Sequence, residues 1–194
     1  MLVSRMIEPA IPRNEADRLE ALKALGLLDS LPEKAFDDIV ALTRAALDVP
    51  TALISLIDTD RQWFKAAAGL DAPETPRSIS FCGHAIHLPD VFVVPDATVD
   101  PRFHDNPLVV GAPHIRFYAG FPLTLPGGCR IGTLCAISPV PRDDLDADGR
   151  ARLRMLGALV LDAIELRSAR SELARLRDTL DRHAAAGPAR AAGR

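Results

Sequence analysis

Cysteine is scarce in this chain. Three residues among 194, Cys82, Cys129 and Cys135, are an odd number without the spacing of a disulfide framework. They read as reduced thiols, and with them the expected location is cytoplasmic. Long apolar runs are lacking too. No stretch approaches the ~18 apolar residues of a membrane helix, and the opening MLVSRMIEPAIPR, broken by Arg5, Glu8 and two prolines, has no apolar stretch of a secretory signal. Positive charge is not in excess: 23 Lys and Arg against 26 Asp and Glu give a net charge of −3. That balance argues against nucleic acid or an anionic membrane as a partner. No Walker loop, HExxH motif or GxSxG elbow occurs, and no internal repeat.

What is present is an ordinary globular composition, 48% hydrophobic and 25% charged. The length suits one domain with an appendage. NEADRLEALKALGLL reads as a helix capped by Asn14, and EKAFDDIVALTRAAL as a second helix restarted by Pro32. TALISLID has the apolar, β-branched character of a strand buried on both faces, and RQWFKAAAGL follows it as a hairpin partner. DAPETPRS reads as a loop, Ser80 as the cap of a short helix, VFVVPD as a brief strand, and residues 97–113 as a long loop with helical turns. IRFYAGFPLTL and CRIGTLCAIS form a second antiparallel pair.

From about Asp144 to Asp181 proline disappears. Leu159, Leu166, Leu173 and Leu180 recur at seven-residue steps, with Ala169 and Leu176 in the matching positions and Asp162 breaking that second series. The expected division is an N-terminal segment 1–13, a domain 14–143, a coiled-coil helix 144–182 that forms a parallel homodimer, and a disordered tail 183–194. Strands in hairpins with helices outside them indicate an α+β fold.

The ordered series NEADRLEALKALGLLDSLPEKAFDDIV, VPTALISLIDTDRQWFKAAAGL, PRSISFCGHAI, VPDATVDPRFHDNPLV, IRFYAGFPL and IGTLCAIS resembles a GAF domain. It is similar to the subgroup often found ahead of histidine kinase or diguanylate cyclase modules. The resemblance implies an antiparallel sheet of about six strands, flanking helices and a long C-terminal helix. One face and its loops would enclose a small-molecule pocket. It also implies a sensory or regulatory role without enzymatic activity, with a separate kinase or cyclase among the candidate partners.

SFCGHAIHLPD carries the chemistry that needs weighing, because Cys82, His84 and His87 fall within six positions. Zinc would need Cys135 or Cys129 as a fourth ligand, yet the paired knuckles of structural zinc sites are missing. Haem ligation by a histidine is a further alternative. A cysteine just inside a short helix could be an activated nucleophile. This keeps open a thiol-dependent reductase of the free methionine sulfoxide reductase type, whose motifs are not evident here. A bilin attached to cysteine also lacks its motif. The preferred reading is a pocket wall, with Cys82 packed inward, no metal, and either no cofactor or an unidentified small-molecule ligand. Candidate ligand-binding residues are Trp63, Phe81, Cys82, His84, Tyr118, Phe121, Cys135, Asp96 and Arg102. Phe117, Tyr118 and Phe121 are expected to alternate imperfectly, with at least one facing the opposite side of its strand, and the Asp100–Arg102 stretch to hold its loop through an internal ion pair.

Overall fold

The structure is a computed structural model and describes residues 6–186. Thr51–Ile57 (β1), Arg61–Ala68 (β2), Glu74–Pro76 (β3), Phe92–Val94 (β4), Phe117–Thr124 (β5) and Arg130–Ser138 (β6) form one sheet in the order β3-β2-β1-β6-β5-β4. Every pairing is antiparallel. β1 lies between β2 and β6 and is buried along its whole length, as its run of large apolar residues requires. The fold is α+β with the six-stranded sheet expected. DAPETPRS is not wholly a loop, since it supplies the edge strand β3.

Successive residues of each strand serve opposite faces. One face is covered by Lys34–Leu47 (α2) and the first half of Ala147–Ala186 (α5), with Glu15–Ala24 (α1) at its side. Phe36 and Val40 of α2, Ile54 and Leu56 of β1, Leu134 of β6 and Leu153, Val160 and Ile164 of α5 belong to one buried cluster there. Gly157 makes the close contact of α5 with β5 possible: a Cβ at that position would lie 2.2 Å from Phe121 Cδ1. The other face is covered by Phe81–Ala85 (α3), Pro107–Val110 (α4) and their loops.

β2 departs from regular alternation at one place. Ile54 pairs with Ala66 and Ser55 with Phe64, so Lys65 has no cross-strand partner. This bulge puts Lys65 and Ala66 both on the helix-covered side, next to a Phe64 that faces the other way.

α5 starts at Ala147 rather than 144 and runs to Ala186, so residues 183–186, expected in a disordered tail, are helical. Residues 187–194 of that expected tail lie outside the described residues. At ~1.5 Å per residue its 40 residues span about 60 Å. Leu153, Val160 and Ile164 are buried, whereas Leu166, Leu173, Leu176 and Leu180 are 51%, 49%, 56% and 68% exposed. Asn14 stands at the start of α1 without a capping bond, and its Nδ2 reaches Cys129 Sγ at 3.9 Å. Ser80 does cap α3, its Oγ accepting from Gly83 N at 2.8 Å.

Candidate functional site

The face away from α2 and α5 holds a cavity of about 330 Å³ between the sheet and α3. Leu53 and Phe64 rise from the sheet as its floor, while Phe81 and Cys82 come from α3 and Tyr118 from β5. No charged side chain lines it among the described residues. The polar groups are few. Gln62 Oε1 is engaged by Ser80 Oγ, and Thr75 Oγ1 is buried without a hydrogen-bond partner.

Tyr118 reaches its place because Gly120 beside it has no side chain; a Cβ there would meet the Tyr118 hydroxyl at 2.3 Å. Its ring packs 5.3 Å from Phe81 and 5.8 Å from Phe92, and Phe81 stacks on Phe103 at 3.9 Å. As expected, one of the three β5 aromatics stands opposite the others, although the alternation along the strand is regular. Phe117 and Phe121 both face the helices and Tyr118 alone of the three faces the cavity.

Beneath the cavity lies a sulfur pair. Cys82 Sγ and Cys135 Sγ are 3.7 Å apart, and the Tyr118 hydroxyl donates to Cys82 Sγ at 3.3 Å. Cys82 lines the cavity; Cys135, on β6, sits behind it and is wholly enclosed. Ser55 Oγ and Thr133 Oγ1 are buried on the same side without a hydrogen-bond partner of regular geometry, and both come close to Cys82. Burial opposes ionisation of Cys82, but donors from Cys135, Thr133, Tyr118 and Ser55 outweigh it and lower its pKa. The neighbouring Cys82 sulfur and burial hold Cys135 well above the ordinary thiol value. Tyr118 is likewise pushed up, first by burial.

Of the residues expected to bind a ligand, Phe81, Cys82 and Tyr118 meet at the cavity. Trp63 and Phe121 do not reach it, because both point into the helix-side core. Cys135 stands behind the wall. His84 faces outward: its Nε2 donates to Ile7 O at 2.9 Å and its ring meets Phe103 edge-on. Burial lowers its pKa. His87 does the same to Ala10 O at 2.9 Å, so the two histidines strap the segment before α1 across α3. Asp96 closes its own turn by accepting from Thr98 N and Oγ1. Arg102 is paired with Asp100 through two bonds of 2.9 and 2.6 Å and lies over the rings of Phe92 and Phe103. That is the internal pair expected to hold the loop. Among the described residues no cluster of three His, Cys, Asp or Glu groups is placed to hold a metal ion.

Sequence reasoning missed a buried charged network on the opposite face. Lys65 Nζ donates to Glu33 Oε1 at 2.7 Å, to Leu31 O at 2.7 Å and to Ser30 Oγ at 2.8 Å. Glu33 Oε1 also accepts from Arg167 Nε of α5 at 2.8 Å, and Arg167 donates to Leu25 O and Gly26 O. Only Lys65, standing between Phe64 and Ala66 in β2, hinted at it.

The family model for the GAF domain matches residues 31–164. The chain belongs to the GAF domain family. It is 45% identical over 159 residues to a cyclic di-GMP phosphodiesterase of Pseudomonas aeruginosa, an alignment covering 82% of this chain and 27% of that protein. The chain thus spans about a quarter of the length of that relative. Among solved structures, the GAF domain of an Acinetobacter phosphoenolpyruvate-protein phosphotransferase superposes with a TM-score of 0.57 at 18% identity, covering 80% of this chain and 98% of that one. A free methionine-R-sulfoxide reductase of Neisseria meningitidis superposes equally well, at 0.57 and 19% identity, over 87% and 99% of the two chains. At these identities both show the fold alone. The phosphodiesterase relative corrects one expectation: a GAF domain protein with no enzymatic activity was anticipated, and this relative is named for an enzyme. Family membership supports a sensory or regulatory role. No helix among the described residues is long and apolar enough to cross a membrane.

Proposed function

We propose that the chain is the sensory module of a cyclic di-GMP phosphodiesterase, and that an uncharged, largely apolar small molecule in the cavity controls it. The observation carrying this reading is the bulge in β2. Phe64 touches the cavity, and the adjacent Lys65 holds Glu33, which holds Arg167 of α5. A ligand that displaces Phe64 therefore acts on the seat of α5 across one strand. The uncharged class follows from the lining. A phosphate brought into it would lose its hydration without meeting a cation, which is far costlier than burying an apolar group. On this reading the signal is distinct from the dinucleotide that the phosphodiesterase hydrolyses.

The output is a parallel homodimer through the exposed part of α5, replacing the kinase or cyclase expected as receiver by the phosphodiesterase itself. Leu166, Leu173 and Leu180 are 51%, 49% and 68% exposed on one chain, and covering that remaining surface would stabilise the pair by roughly 1–2 kcal/mol for each. Thermal-shift titration tests the ligand class. Indole, a neutral aromatic probe, should raise the melting temperature, while cyclic di-GMP and 3′,5′-cyclic AMP should not; stabilisation by either nucleotide overturns the class. Light scattering should give a dimer for the full chain and a monomer after truncation at Glu165. A full-length monomer at micromolar concentration overturns the output.

A further inference from the structure

We propose that Cys82 and Cys135 form a reversible thiol–disulfide site oxidised by hydrogen peroxide, with Cys82 as the attacking thiol and Cys135 as the resolving one. This rests on the sulfur geometry and uses the cavity only as an entrance, so it stands or falls apart from the ligand reading. The sulfurs come from α3 and β6, 53 positions apart in sequence, and already stand 3.7 Å from each other. A disulfide needs ~2.05 Å, so closure asks for a shift of roughly 1.7 Å. β6 is hydrogen-bonded to a strand on each side, whereas the five-residue α3 has no such ladder, so the shift falls on Cys82 and α3.

The surroundings separate this pair from ordinary core packing. A buried cysteine serving as a small hydrophobe is best met by apolar groups. Here three hydroxyls converge: Tyr118 donates to Cys82, Ser55 lies close to it, and Thr133 lies close to both cysteines, Ser55 and Thr133 being buried without a hydrogen bond of regular geometry. Hydroxyls spent in this way stabilise a thiolate, the form that attacks peroxide. The two sulfurs differ in access as well. Cys82 faces the cavity and Cys135 does not, which sets the order of reaction. An uncharged oxidant suits an entrance without charged side chains.

The chemistry balances with peroxide as the only co-reactant. Cys82 thiolate attacks one peroxide oxygen; an S–O bond forms, the O–O bond breaks, and hydroxide leaves to take the thiol proton as water. Cys135 then attacks the sulfenic sulfur of Cys82. The S–S bond forms, the S–O bond breaks, and the departing hydroxide takes the Cys135 proton. Two thiols are oxidised and one peroxide becomes two waters. Closure draws α3, and Phe81 with it, onto the sheet and reshapes the cavity wall.

Intact-mass spectrometry of the full chain carrying Cys129→Ser tests the site, because that change removes the one partly exposed thiol. Peroxide should lower the mass by about 2 Da, reversed by dithiothreitol, with mapping to a Cys82–Cys135 cross-link. Adding Cys135→Ser should leave a Cys82 sulfenic acid that dimedone traps, and adding Cys82→Ser should leave Cys135 reduced. Tyr118→Phe should slow oxidation several-fold and move its pH profile upward, a change that mere loss of packing would not give. A folded Cys129→Ser chain that keeps both thiols overturns the proposal. So does oxidation of Cys135 at an unchanged rate when Cys82 is serine.

Discussion

On the helix side of the sheet, Phe36, Val40, Leu134 and Val160 close into one cluster; on the other side Phe64, Phe81 and Tyr118 stop short and leave about 330 Å³ between them. The same strands supply both faces, so the difference comes from what covers them. α2 brings a continuous apolar stripe, and the first half of α5 adds Leu153, Val160 and Ile164 to it. α3 and α4 are five and four residues long and cannot bring such a stripe, so aromatic rings and loops bridge the span. One face is therefore closely packed, and the other keeps a cavity. Lys65, Glu33 and Arg167 form their network on the helix side, while among the described residues no charged group lines the cavity.

The sharpest break of that comparison is an equal truncation on each side. Phe36→Ala removes a ring that is 1% exposed and should cost about 3–5 kcal/mol, the range for a phenylalanine deleted from a packed core. Phe64→Ala enlarges an existing space and should cost clearly less, because fewer contacts are lost. Urea midpoints at constant slope measure both. Equal losses would mean that the cavity face is as tightly packed as the helix face.

A smaller effect concerns the seam where the faces meet. Glu15 of α1 is bonded by Arg18 at 2.7 Å and by Arg77, which leads into α3, at 2.6 Å. Burial alone would raise its pKa, but these arginine bonds overcome it and bring the carboxyl down to about 2. A folded-state value below the unfolded one means that Glu15 stabilises the fold above pH ~4.5, and that this stability is lost as pH falls toward ~2. On the order of 1–2 kcal/mol should vanish across that window, discounted because the carboxyl is only partly withdrawn from water, and Glu15→Gln should flatten the slope of stability there. An unchanged slope between pH 4.5 and 2 in the variant would remove Glu15 from the acid response.

Next in size is the relay. Glu33→Ala leaves Lys65, whose side chain is 1% exposed, without its counter-charge, whereas Lys65→Met removes the charge and keeps the bulk. The first should cost about 1–2 kcal/mol, discounted because Glu33 is itself 37% exposed, and the second less. Chemical denaturation of the two variants and of the double variant measures the coupling. A Lys65→Met chain less stable than Glu33→Ala would mean that the ammonium contributes chiefly through its bonds to Leu31 O and Ser30 Oγ and its contact with the Phe36 ring at 5.2 Å, rather than through Glu33.

Much of this was legible in the sequence. The ordered GAF stretches give the sheet and its helices, β1 shows its burial on both faces as an unbroken apolar run, and the leucine series marks the projecting part of α5. The facing of Trp63 was not legible. The bulge at Lys65 breaks the period of β2, so counting alternate residues across it assigns the wrong side. The Cys82–Cys135 contact was hidden for a different reason: it joins residues 53 apart, which only the folded sheet brings together. His84 and His87 looked like a site and are fasteners, because the segment they hold comes from the other end of the chain.

The smallest effect on the protomer is expected where the exposed leucines lie, and it is the most telling about output. Leu173 is 49% exposed and Leu180 68% exposed, and residues 169–184 of α5 are all exposed. Substituting both leucines with alanine removes almost no contact within one chain, so unfolding at low protein concentration should shift by no more than about 0.5 kcal/mol. In a dimer the same leucines form the seam, and its stability is tied to concentration. The melting temperature of the wild-type chain should therefore rise with protein concentration across a hundredfold range, while that of the Leu173→Ala, Leu180→Ala variant stays flat. Both faces of the sheet would be untouched by the change, which isolates α5. A wild-type melting temperature independent of concentration would leave α5 single, and the relay through Lys65 and Glu33 would then need another receiver.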